Sequence, residues 1–194
     1  MGRSNGGSTV MASELHVDAI KHSGGTSALT IDSSGNLTAS AKLHSAGAIL
    51  QCVEGSHSNW TALSSASYVY ANVGVTVTPK FSTSKIQVLI NINGIYGSTP
   101  GNAVFFQLYR DIGGGGYSSI NNLGGISCNT NASDHGPQDS TLVCSVLDSP
   151  STTSVINYRV YARIAGGGTG GVCNYTESTN GVTRSSAVAM EVAQ

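Results

Sequence analysis

The stretch Lys85-Ile86-Gln87-Val88-Leu89-Ile90-Asn91-Ile92-Asn93 decides the fold class. Successive side chains of an extended chain point to opposite faces, so Ile86, Val88, Ile90 and Ile92 share one face, with Gln87, Asn91 and Asn93 on the other. An apolar row of this kind must be covered by a second layer. Val155–Ile164 repeats the pattern, with Tyr158, Val160 and Ala162 opposed to Asn157, Arg159, Tyr161 and Arg163. Working outward, Ala48–Glu54, Tyr68–Val73, Val75–Thr78, Ala103–Asp111, Thr141–Asp148 and Ser186–Val192 also read as strands. No stretch of helical length carries the helical period with caps. About eight antiparallel strands over residues 46–194 predict an all-β chain with a β-sandwich head, a jelly roll. Gly94–Asn102, Gly113–Asp139 and Gly166–Thr183, rich in Gly, Asn and Ser, read as its long loops.

Composition narrows the function. Of 194 residues, 10% are charged, with nine Lys and Arg against ten Asp and Glu and a net charge of −1; soluble domains average about 25% charged. Ser, Thr, Gly and Asn fill the gap. A nucleic-acid binder needs a basic patch to neutralise phosphates, and none is present. A mean hydropathy of +0.02 and near-zero net charge argue against a disordered chain. Met1–Val10 carries no apolar segment of a secretion signal, and no run approaches the ~20 apolar residues of a membrane helix.

Upstream of the head, three short runs alternate apolar and polar residues: Glu14–Ile20, Ala28–Asp32 and Asn36–Leu43. Ser33-Ser34-Gly35-Asn36 reads as a hairpin turn, since Gly and Asn tolerate positive φ. The apolar sets (Leu15, Val17 and Ala19; Leu29 and Ile31; Leu37, Ala39, Ala41 and Leu43) are too small to make a core within one chain. Copies of the same segment are the simplest cover, which predicts a short intertwined stem. The chain therefore divides into a flexible anchor over 1–13, a stem over 14–45 and a head over 46–194. Gln87, Leu89, Asn91 and Asn93, an outward row of the head with no charge, suit a subunit interface better than bulk water.

Leu15–Ile20 followed by Ser27-Ala28-Leu29-Thr30-Ile31-Asp32-Ser33-Ser34-Gly35-Asn36-Leu37-Thr38 resembles the N-terminal segment of small fibre-like virion proteins of marine tailed phages. Ala48–Gln51, Ser82–Ile90, Phe106–Asp111 and Ala187–Val192 are similar to the same family. The resemblance implies a homotrimer with a β-stranded stem and a tumour-necrosis-factor-like jelly-roll head. It implies a tail or head fibre in the virion, docked to portal, tail or capsid proteins through the N-terminal segment, with Ser8, Thr9, Val10, Met11, Leu15 and Val17 as docking residues. Members begin near Met11, so residues 1–10 are an added anchor peptide or an upstream start.

The chemistry-bearing residues point to binding. Gly166–Gly171 satisfies a glycine-rich phosphate motif formally, but no helix follows to hold a pyrophosphate. Asp134, His135 and Asp139 share a loop without calcium-loop spacing, and a solvated turn explains them. His16, His22, His44 and His57 lack metal-ligand spacing; in a trimer a His near the axis would appear three times and could bind a metal, and His44, at the stem–head junction, is the best placed for that. Neither a metal nor another cofactor is called for. The head's carboxylates are unpaired within any strand face and no hydrolase nucleophile motif occurs, so no enzyme is expected. Cys52 and Cys144 lie in strand-like runs and read as small buried hydrophobes, while Cys128 and Cys173 lie in polar loops where a disulfide is an open alternative.

Aromatic rings stack on sugar faces while amides and hydroxyls bond sugar hydroxyls. Trp60, Tyr96, Tyr117 and Tyr175, with Asn121 and Asn122 between them, are the candidate ligand-binding set on the loops. The plainer reading of each ring is edge packing or an intersubunit contact. The resulting expectation is a trimeric virion fibre whose head contacts a host surface glycan or other virion proteins, without nucleic-acid binding or membrane insertion. A capsid decoration protein that cements the head lattice is the first alternative, and a bacterial lectin or adhesin the second.

Overall fold

A computed structural model describes residues 17–21, 23–25, 27–39, 46–57, 61–64, 66–97, 102–128, 140–165, 171–173 and 184–194, with the side chains of residues 28, 37–39, 56, 96–97, 102, 126–128 and 171–173 excepted. The chain separates into two units, Met1–His44 and Ser45–Gln194.

The first unit is a three-stranded antiparallel sheet in the order β1 (Ala19–Lys21), β2 (Ser27–Ile31), β3 (Leu37–Ala39). The Asp32 side chain builds the β2–β3 turn by accepting from the Ser34 N–H (2.9 Å), the Asn36 N–H (2.8 Å) and the Asn36 amide (2.9 Å), with Gly35 at φ 81°. Only Gly takes that φ without strain. The side-chain bond from Asn36, the largest effect, holds the Asp32 carboxyl below its usual range. Ile20 and Ile31 remain 48% and 41% exposed, so these two side chains lack full cover within one chain.

In the second unit two antiparallel sheets face each other across one core. The larger has the order β4 (Ile49–His57), β13 (Ser185–Val192), β7 (Lys85–Gly97), β12 (Gly171–Cys173), β5 (Thr61–Leu63), with β10 (Ser140–Asp148) also on β7. The smaller runs β6 (Val69–Val77), β11 (Ile156–Ile164), β8 (Asn102–Ile112), β9 (Ser118–Cys128). Ile86, Val88, Ile90 and Ile92 point inward and are at most 1% exposed. They meet Val73, Val75 and Val77 of β6, Val104, Phe106 and Leu108 of β8, and Tyr158, Val160 and Ala162 of β11 in one cluster. The described residues are all β and contain no helix.

Two polar groups tie this core together. The buried Glu191 carboxylate accepts from the Gln51 amide (2.6 Å), the Lys80 N–H (2.8 Å) and the Phe81 N–H (3.2 Å), pinning the β6–β7 connection to β13. Arg110 donates to both oxygens of Asp148 at 2.8 Å, and the Tyr158 hydroxyl donates to Asp148 at 2.7 Å. Each buried charge thus has partners that replace water.

Several sequence expectations need correction. Tyr68–Val73 and Val75–Thr78 are one strand: Gly74 does not break it, and Ala71 and Asn72 bulge out between Tyr70 and Val73, with Asn72 at φ 54°. The expected loop Gly113–Asp139 contains β9, hidden because shifts against β8 at two places interrupt its alternation. The expected loop Gly166–Thr183 contains the short β12, and the expected loop Gly94–Asn102 opens with the end of β7. Cys52 is an exposed thiol, because its place on β4 puts it on the outward face beside Met190. Cys144 is half-buried and burial pushes its thiol up.

Candidate functional site

The outward positions of the smaller sheet gather aromatic rings around arginine. Register places Tyr161 of β11 between Tyr70 of β6 and Gln107 of β8, and Arg159 between Gly74 and Tyr109. Tyr109 and Tyr161 lie with ring centroids 4.3 Å apart; Tyr70 and Tyr117 lie 6.0 and 6.1 Å from Tyr161. The Arg159 guanidinium carbon sits 4.6 Å from the Tyr70 ring and 4.5 Å from the Tyr117 ring. Two strand periods further along, the Arg163 guanidinium lies 4.6 Å from Phe105 and 5.4 Å from Tyr68. A cation over a ring face gains roughly 0.5–2 kcal/mol, so these contacts fix each guanidinium. Among the described residues, neither Arg159 nor Arg163 has a carboxylate partner, whereas Arg110 is paired with Asp148.

Burial raises the Tyr70 hydroxyl above the usual phenol range, with Arg159 opposing it, and the same two causes act on Tyr117. Both phenols stay protonated at neutral pH and remain hydrogen-bond donors. The acidic side chain of this face, Asp111, is buried and accepts from the Gly116 N–H at 2.8 Å.

Beside Arg159 the surface dips into a cavity of about 260 Å³ lined by His57, Tyr70, Thr76, Asn157 and Arg159, with Gly55 and Gly74 as its floor. The glycines allow β4 and β6 to approach: a Cβ on Gly55 would stand 2.1 Å from the Gly74 carbonyl oxygen, and one on Gly74 would stand 2.5 Å from the Tyr158 carbonyl oxygen. His57 Nε2 lies 2.7 Å from the Gly74 carbonyl oxygen and 3.1 Å from its nitrogen, so it donates or accepts according to tautomer. Asn157 Oδ1 accepts from the Thr76 hydroxyl at 2.7 Å.

Of the expected ligand-binding set, Tyr117 joins this cluster, just ahead of β9. Asn121 and Asn122 are exposed on β9 itself, with Asn122 opposite Gln107. Tyr96 belongs to β7 of the other sheet, where it pairs with Val172. Trp60 and Tyr175 lie outside the described residues, as do Ser8, Thr9, Val10, Met11 and Leu15 of the expected docking segment; Val17 is described and half-buried. His44, Asp134, His135 and Asp139 also lie outside.

Tyr70 and Tyr109 lie on β6 and β8, outside the loops where sequence reasoning expects sugar-stacking rings. The signal for them was available. Alternation already put Arg159, Tyr161 and Arg163 outward, and collecting the outward residues of every strand would have set Phe105, Tyr109 and Tyr70 beside them.

The outer face of the larger sheet has a different character. Leu89, Val143 and Leu147 are 40%, 73% and 54% exposed. Gln87 donates to the Ser145 hydroxyl (2.6 Å) and the Val146 carbonyl (3.2 Å), and Asn93 bonds the Arg184 carbonyl and Thr141. The Asn91 side-chain oxygen is buried without a hydrogen-bond partner. A shallow depression of about 530 Å³ runs between Leu89, Asn91, Val143, Ser145, Ser186 and Val188.

No protein-family model matches the chain, and no curated protein matches it. Among solved structures, it is similar to a chain from the structure of infectious bursal disease virus, Gx strain, with a TM-score of 0.40 and 14% sequence identity. The match covers 79% of this chain and 40% of that one, so the chain spans about two fifths of the viral chain's length.

Proposed function

We propose that the protein is a virion structural component: a short homotrimeric fibre, docked through its N-terminal segment, that presents the sandwich as a binding head and performs no catalysis. The observation that carries this reading is apolar surface left open on both units. Ile20 and Ile31 stay exposed on the first, and Leu89, Val143 and Leu147 form a neutral exposed stripe on the second. A neutral row of apolar side chains on a sheet face suits a contact surface better than bulk water. Second and third copies of the same chain supply matching stripes without any charge to pair. The resemblance of residues 14–111 to small phage fibre proteins, noted above, supports the same assignment.

The test is incorporation into particles. Deleting residues 1–13 is expected to abolish recovery of the protein with purified virions while leaving the head folded. Full copy number from the truncated chain would overturn docking through that segment.

A further inference from the structure

We infer that the Tyr70–Tyr109–Tyr117–Tyr161 face, with Arg159 at its centre, binds an acidic saccharide, one whose sugar rings carry carboxylate or sulfate groups. The inference rests on the reading of the sandwich as a binding head, and it adds the chemical class of the ligand.

Sugar rings expose patches of C–H that pack on aromatic faces. Three tyrosines with ring centroids within 6.1 Å of the Tyr161 ring make, with it, a four-ring platform. Tyrosine also brings hydroxyl donors and rigid area at small entropic cost, which suits recognition of hydroxyl-rich ligands. The arginine decides the sign of the ligand's charge. Held between the Tyr70 and Tyr117 rings, Arg159 is fixed before any ligand arrives, and no described carboxylate neutralises it. A planar guanidinium matches the two oxygens of a carboxylate or the oxygens of a sulfate. Arg163, four residues along β11 and on the same face, offers a second cation two strand repeats, about 13 Å, away. The cavity between His57, Tyr70, Asn157 and Arg159 accepts one substituent of a ring lying on the platform, with the Asn157 amide within it. In a chain with 10% charged residues, two arginines on one aromatic face without a carboxylate partner among the described residues are a concentrated feature.

The test is calorimetric titration of the full chain with a hyaluronan hexasaccharide (carboxylates), a heparin hexasaccharide (sulfates) and cellohexaose (neutral). The expected result is binding of at least one acidic probe, with cellohexaose weaker by about tenfold or more, as for a charge-assisted contact added to stacking. Arg159→Gln is expected to lower acidic-probe affinity by about tenfold, and Arg159→Lys by less, because charge survives while the planar fork is lost. Lys80→Gln, remote from the face, should leave affinity unchanged. Thermal melts of each variant show whether the head is folded, and Tyr161→Phe, which keeps the ring, gives a second variant expected to retain most binding. The proposal is overturned if neither acidic probe binds wild type, if cellohexaose binds equally well, or if folded Arg159→Gln binds like wild type. A trimer that enters particles but binds no acidic probe would remove this ligand class and keep the fibre reading. A chain that binds the probes yet never enters particles would do the reverse.

Discussion

Glu191 is where single-residue chemistry most affects the fold. Burial works to raise its carboxyl, but hydrogen bonds from Lys80, Gln51 and Phe81 outweigh that and hold it below the usual range. A carboxyl with a depressed folded value stabilises the fold fully above its ordinary value, about 4.5, and loses that contribution as pH falls through the folded value. Urea midpoints should therefore drop on acidification below that point. Glu191→Gln should lower neutral-pH stability by roughly 1–3 kcal/mol and flatten this acid limb. Gly55 offers a steric counterpart. A Cβ there meets the Gly74 carbonyl oxygen at 2.1 Å, which no rotamer change relieves. Gly55→Ala should cost about 1–3 kcal/mol, read as a lower melting temperature. Neither role was legible in the sequence: Glu191 looked like one more strand residue, and nothing local to Gly55 shows which backbone approaches it.

At the scale of elements, strands with clean alternation were readable and irregular ones were not. Lys85–Asn93 and Val155–Ile164 alternate without interruption, so their inward and outward faces followed from spacing alone. Ser118–Cys128 holds Gly124, Gly125 and two register shifts against β8, so its apolar residues Ile120 and Leu123 fall out of step. It therefore reads as a loop in the sequence, and Asn121 and Asn122 with it, whereas Tyr117 does lie in the connection ahead of the strand. Part of the candidate site was found through its residue types, but its position on a sheet face depends on pairings distant in sequence. The outer stripe of β7 and β10 makes its own prediction. Val143→Asp places a charge where Val143 is 73% exposed, so the isolated fold should tolerate it within about 0.5 kcal/mol. Buried against another copy, the same charge should dissociate the oligomer, seen as a fall in solution mass with an unchanged circular dichroism spectrum.

For the whole molecule, the two units pose one question in two forms. In the three-stranded unit Ile20 and Ile31 stay 48% and 41% exposed, so its described apolar surface is only partly covered. The sandwich has a complete core and still keeps a neutral apolar face outward. The trimer proposed above would cover the stripe of one head with those of its neighbours and leave the tyrosine–arginine faces open for ligand. All-β class and the facing-sheet arrangement were legible in the sequence because alternation recurs in most strands. The strand order was not, because β13 at the end of the chain inserts between β4 and β7. The measurement that tests this account most directly is the solution mass of the full chain by light scattering. The account predicts three times 19.7 kDa; a mass of one chain, at concentrations where the fold is intact, would contradict it.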